Sequence, residues 1–184
     1  MTRKQKIVIA VTGASGSIYA QRTFFHLAQR QEVEVGVVLS RNARTVWEQE
    51  LGVEMDIPFK VYDRGDYFAP FASGSAQYMS MLIVPCSMGT LGRIAHGISD
   101  DLATRAADVI LKERRRLVCM VRDTPYNSIH LENMQRVTQA GGIILPASPS
   151  FYSRPTTFEA LADTVVLRAF DLMGLETSGY RWGE

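Results

Sequence analysis

Five continuous apolar runs constrain this chain more than any other feature: residues 7–11 (IVIAV), 33–39 (VEVGVVL), 81–85 (MLIVP), 117–121 (LVCMV) and 142–146 (GIILP). They do not alternate apolar with polar, so each reads as a strand covered on both faces. Helical patterns fill the intervals at 17–30, 41–50, 100–115, 129–140 and 158–172. In 100–115 the spacing puts Leu102, Ala106, Val109 and Ile110 on one face, and Gly141-Gly142 and Gly174 stop the last two helices. Such alternation predicts an α/β fold: a three-layer, Rossmann-like arrangement whose mainly parallel sheet carries helices on both sides. With 184 residues, 46% of them hydrophobic, the chain suits a single domain with its own core. Residues 175–184 form a polar tail that either frays or docks Tyr180 and Trp182.

In open parallel sheets ligands gather beyond the carboxyl ends of the strands, and the loops there carry the informative residues. The first run leads through Thr12-Gly13-Ala14-Ser15-Gly16-Ser17 into a helix, a geometry whose free N–H groups and helix dipole receive an anion. An ordinary tight turn needing small residues is the other reading. The loop matches neither GxGxxG nor GxxxxGK[ST], and the second run ends in Ser40-Arg41 without an acid to hold an adenosine ribose, which argues against NAD and ATP. After the third run, Cys86-Ser87-Met88-Gly89-Thr90 adds hydroxyls and backbone donors suited to a flavin, with Cys86 read as a buried, inert thiol. Arg122 and Asp123 follow the fourth run, either as phosphate clamp and acid or as a surface Arg beside a helix cap. The fifth leads to 146–155 (PASPSFYSRP), a proline-stiffened aromatic loop. Arg168 lies within the apolar helix LADTVVLRAFDLMG and needs an anion, a partner chain or water. The long stretch 52–77, with a short possible strand FKVYD, breaks the rhythm, as functional loops do.

Other classes are poorly served. Twenty Lys+Arg against nineteen Asp+Glu leave a net charge of +1, so one basic helix end, KERRR at 112–116, offers little to nucleic acid. The first apolar run is too short for a membrane span or signal core, and two cysteines in apolar runs read as reduced, so a cytoplasmic location is expected. His96 near Asp100-Asp101, and His130 with Glu132, lack a supporting ligand cluster, and no metal is expected; His26 reads as structural. The helix surface MGTLGRIAHGI is apolar enough to want a neighbour.

Taken together, TGASGS (12–17), SGS (73–75), PCSMGTLGRIAHG (85–97), RAADVILKERR (105–115), RDTPYNSIHLENM (122–134), GGIILPASPSFYSRP (141–155) and the closing RWGE resemble the UbiX-like flavin prenyltransferases, within the flavin-containing cysteine-decarboxylase fold. The resemblance implies transfer of the dimethylallyl group of dimethylallyl monophosphate to N5 and C6 of reduced FMN. The product, prenylated FMN, would serve a UbiD-type decarboxylase; the reaction would be metal-independent and the assembly a homododecamer with sites where subunits meet. By position, Gly13, Ala14, Ser15, Ser40, Ser87, Met88, Gly89, Thr90 and Arg122 would bind FMN. Lys112, Arg122, Asp123, Tyr152 and Arg168 would surround the prenyl phosphate, Glu50 would handle a proton, with Glu48 as alternative, and Trp182 would cover the site. The family commonly has Pro-Arg-Glu where this chain has Val121-Arg122-Asp123, a carboxylate one methylene shorter. Two rivals remain. A cysteine decarboxylase of this fold would carry PxMNxxMW where this chain has PASPSFYSRP. A flavin carrier without chemistry would not need Lys112, Arg122, Tyr152 and Arg168.

Overall fold

A computed structural model describes residues 4–183. Six strands, β1 (Gln5–Val11), β2 (Val33–Leu39), β3 (Lys60–Tyr62), β4 (Tyr78–Cys86), β5 (Arg116–Val121) and β6 (Ile143–Pro146), form one sheet in the order β3-β2-β1-β4-β5-β6. Every pairing is parallel. The register aligns Val11 with Leu39, Cys86 with Val121 and Val121 with Pro146, so the loops after β1, β2, β4, β5 and β6 leave from one edge. Strand order reverses at β1, between β2 and β4, which opens a crevice at that edge.

The helices are α1 (Ser17–Ala28), α2 (Ala43–Leu51), α3 (Met88–Ala95), α4 (Leu102–Lys112), α5 (Ser128–Gln139) and α6 (Phe158–Met173). Continuous apolarity in the strands has a direct cause. Ile7, Ile9 and Val11 of β1 pack under α1 and α6 with Phe24, Leu27, Val166 and Phe170. Val8 and Ala10 face the other way, among Leu91 of α3 and Leu102, Ala106 and Ile110 of α4. Each wholly buried aliphatic side chain contributes roughly 1.5–3 kcal/mol, so both faces are needed to hold the sheet. Among the described residues no helix is long and apolar enough to cross a membrane.

Two expectations need correction, and the stretch 52–77 gains detail. The apolar surface of MGTLGRIAHGI turns inward: Met88, Leu91 and Ile94 are buried beneath α3, because spacings of three put them on the face against the sheet. The helix expected over 100–115 is shorter. Asp101 caps it, accepting from Thr104 N at 2.9 Å while Thr104 Oγ1 accepts from Asp101 N, and Arg114 ends it with a φ of 56°. The stretch 52–77 holds β3 and two single turns, 70–72 and 74–76, pinned by Phe71, which packs edge-on to Tyr62 and Tyr78.

Candidate active site

The crevice is framed by two loops that lock together. Thr12 Oγ1 donates to Pro85 O at 2.6 Å and accepts from Ser87 N at 3.0 Å, joining the β1 loop to the β4 loop. Ser87 then caps α3, accepting from Thr90 N. A Cβ on Gly13 would lie 2.8 Å from Asn42 Cβ, so only glycine lets the start of α2 come this close. Between them opens a cavity of about 600 Å³ lined by Gly13, Ser40, Ser87, Gly89 and Thr90, with Arg41, Asn42, Arg64, Arg93 and Asp101. Arg41 and Arg64 make no ion pair among the described residues. Their charge is available to an anion. Met88 is buried in the core beneath α3, and Ala14 lies beside Gly13 in the same loop.

The anion expected at the start of α1 is supplied by the protein itself. Gly16, at a φ of 110° that glycine alone adopts readily, turns its N–H onto Glu50, whose Oε2 also accepts from Ser17 N at 2.7 Å. Burial pushes this carboxyl's pKa up, but the Ser15 hydroxyl and the Ser17 and Gly16 N–H groups outweigh it and hold the pKa below the ordinary value. Glu50 is therefore ionised at neutral pH, a proton acceptor rather than a donor. Glu48 makes no such contact among the described residues, its carbonyl closing α2 by accepting from Gly52 N.

Arg122 follows β5 into the crevice, with its N–H on Cys86 O, and its charge opposes the upward shift that burial imposes on the Tyr19 hydroxyl. Asp123 is exposed, and its carboxylate accepts from the adjoining Thr124 N. Beyond β6 a second cavity, about 580 Å³, is lined by Tyr152, Leu167, Arg168, Asp171, Tyr180 and Trp182 among others. The tail does dock: Tyr180 stacks on Tyr152 with centroids 6.2 Å apart, and Trp182 meets the same ring edge-on at 5.1 Å. Among the described residues Arg168 reaches only a loose partner, Asp171 at 3.9 Å, and stays 61% exposed.

Lys112 is not brought to these groups. It ends α4 beside Glu113, at the amino edge where β5 begins. A strand of six residues separates it from Arg122, roughly 20 Å at about 3.3 Å per residue. Sequence reasoning missed Arg41, Asn42, Arg64 and Arg93 as lining residues; Arg41 was legible beside Ser40, whereas Arg64 arrives from the distant 52–77 stretch. His96 Nδ1 lies 2.8 Å from Gly92 O, and among the described residues no three His, Cys, Asp or Glu side chains gather as for a metal.

An elongated flavin nucleotide fits these residues. Among the described residues the guanidiniums of Arg41 and Arg64 are unpaired and could hold a terminal phosphate, and Gly13 leaves no side chain at the cavity wall. The flavoprotein family model matches residues 1–168. The flavin prenyltransferase UbiX of Methanocaldococcus jannaschii is 41% identical over 183 residues, 97% of this chain and 98% of that protein. The crystal structure of AnUbiX (PadA1) in complex with FMN and dimethylallyl pyrophosphate superposes with a TM-score of 0.91 at 40% identity, covering 99% of both chains. A dodecameric FMN-dependent UbiX-like decarboxylase from Escherichia coli O157:H7 gives 0.88 at 35% identity, over 97% of this chain and 100% of that one. Matched along its whole length by proteins of this kind, the chain belongs to the flavoprotein family and, within it, to the UbiX flavin prenyltransferases.

Proposed function

We propose that the chain joins the dimethylallyl group of dimethylallyl monophosphate to reduced FMN, making prenylated FMN for a UbiD-type decarboxylase. The observation that carries this reading is the second cavity, where a loosely paired cation, Arg168, faces an aromatic wall of Tyr152, Tyr180 and Trp182. Departing phosphate needs the cation, and developing allylic positive charge needs the π faces. When bound, reduced FMN supplies the nucleophilic N5 and the C6 at which the new ring closes.

The chain's own residues hold and neutralise. Arg168 and the Tyr152 hydroxyl take the prenyl phosphate, and Arg122 reaches it from the β5 end. Asp123 orients that guanidinium, through water where its shorter arm falls short. Gly13, Ala14, Ser15, Ser40, Ser87, Met88, Gly89 and Thr90 line the flavin's path, and Glu50 Oε2 accepts a proton when it releases the α1 N–H groups. Lys112 joins only from a second copy, because in its own chain it sits at the far edge of the sheet. A homododecamer, the assembly named for the Escherichia coli relative, would offer a second copy for this role. The same reading takes the chain as one cytoplasmic flavin-binding domain with 175–184 as cover.

Anaerobic incubation with reduced FMN and dimethylallyl monophosphate, followed by mass spectrometry of the released flavin, tests this. A gain of one C5H8 unit is expected, faster than with the diphosphate. Flavin that is held but unmodified by either donor would overturn the reading in favour of a carrier.

A further inference from the structure

Two donors converge on Thr90 Oγ1: the Ser87 hydroxyl at 3.1 Å and Arg93 Nη2 at 3.3 Å. A hydroxyl oxygen has two lone pairs and one proton. With both lone pairs engaged, the proton of Thr90 is left to donate, and Thr90 lines the cavity that holds Ser40, Arg41 and Arg64. Ser87 is in the opposite state. Its proton goes to Thr90 and its oxygen already accepts from Thr90 N at 3.3 Å, so it has no hydrogen to offer a ligand.

Arg93 sets this arrangement. Its Nη1 lies 2.6 Å from Asp100 Oδ1 and 2.8 Å from Asp101 Oδ2, and Asp101 is itself fixed as the cap of α4. Two carboxylates balance its charge, which makes it a poor ligand for a further anion but a well-held donor to Thr90. Without that donor the Thr90 oxygen keeps only the Ser87 bond, one lone pair is released, and the proton gains a second direction.

We propose that Arg93, anchored by Asp100 and Asp101, is a positioning residue that aims the Thr90 hydroxyl proton at the terminal phosphate of the flavin nucleotide. The proposal rests on the flavin-site reading above, and it assigns the hydroxyl donor to Thr90 rather than Ser87.

Titration of the full chain with FMN and with riboflavin, read by quenching of flavin fluorescence, tests it, because the two ligands differ only in the phosphate. Thr90→Val and Arg93→Met should each weaken FMN about tenfold, the scale of a hydrogen bond to a charged group. Riboflavin affinity should stay within roughly twofold, since the ring and ribityl contacts are untouched. Arg93→Lys and Thr90→Ser should recover much of the FMN loss. Equal losses for both flavins would mean a merely structural role and overturn the proposal, as would unchanged FMN affinity in variants of a wild type that prefers FMN. A wild-type chain that binds neither flavin would overturn the flavin-site reading itself, and the proposal with it.

Discussion

Glu50→Gln isolates one charge at one helix end. The carboxylate accepts from Gly16 N at 2.9 and 3.1 Å and from Ser17 N at 2.7 Å. Glutamine keeps one carbonyl oxygen, so about half of the acceptor capacity survives while the whole charge is lost. An anion at a helix N-terminus contributes about 0.3–1 kcal/mol when exposed and up to about 2 when partly buried. Glu50 belongs nearer the exposed end, and with one weakened hydrogen bond the expected loss is about 1–1.5 kcal/mol at neutral pH. In a chain of this length that is about 2–6 °C of melting temperature.

The pH dependence is the sharper part of the test. The folded pKa of Glu50 is depressed, so its contribution is present above the unfolded value of 4.5 and disappears as pH falls through the lower folded value. Wild type and Glu50→Gln should separate at pH 7, and the gap should be smaller at about pH 3, below the unfolded value. Urea melts at both pH values measure the gap, with Glu48→Gln as a control that should match wild type throughout. Coincident melts at pH 7, or a gap that persists undiminished near pH 3, would refute the argument that a charged carboxylate caps α1.

Arg168→Ala should leave stability within about 0.5 kcal/mol of wild type, because the side chain is exposed and loosely paired. It should raise KM for the prenyl phosphate at least about tenfold in initial-rate assays while FMN affinity is retained. Asp163→Asn should destabilise by about 1–3 kcal/mol at pH 7, since the carboxylate binds Arg22 at 2.7 and 2.8 Å and His26 at 2.9 Å, tying α6 to α1. Burial raises the Asp163 pKa, but the Arg22 and His26 bonds outweigh it and leave it depressed. That stability too should shrink as pH falls below the ordinary Asp value, which thermal melts against pH would show.

The layered fold was legible because β1, β2, β4 and β5 spend almost every side chain on a buried face, which leaves no alternation to confuse the period. The crevice loops were legible for a related reason: small and hydroxyl residues after an apolar run mark a strand end. What could not be read was any pairing set by the path of the chain. Glu50 meets Gly16 across 34 positions, and nothing local in WEQEL announces it. Arg93 meets Asp100 and Asp101 only because the turn after α3 brings them back to it, seven and eight positions on. Lys112 fell into line with the phosphate ligands by motif, yet parallel strands put the end of α4 and the end of β5 at opposite edges. His26, read as structural, does tie α1 to α6.

The carboxylate seated on α1 also decides which nucleotides this strand order can serve. Where a sheet of the order 3-2-1-4-5-6 takes a dinucleotide, the bridging pyrophosphate rests on the helix after the first strand. Here two like charges would compete for one set of N–H groups, and the tethered one is already in place. A mononucleotide escapes the conflict, since its single phosphate sits at the end of the molecule and can lodge aside, by Arg41 and Arg64. On the proposed flavin-site reading, Glu50 would act as a resident competitor, leaving the crevice a seat for half a dinucleotide.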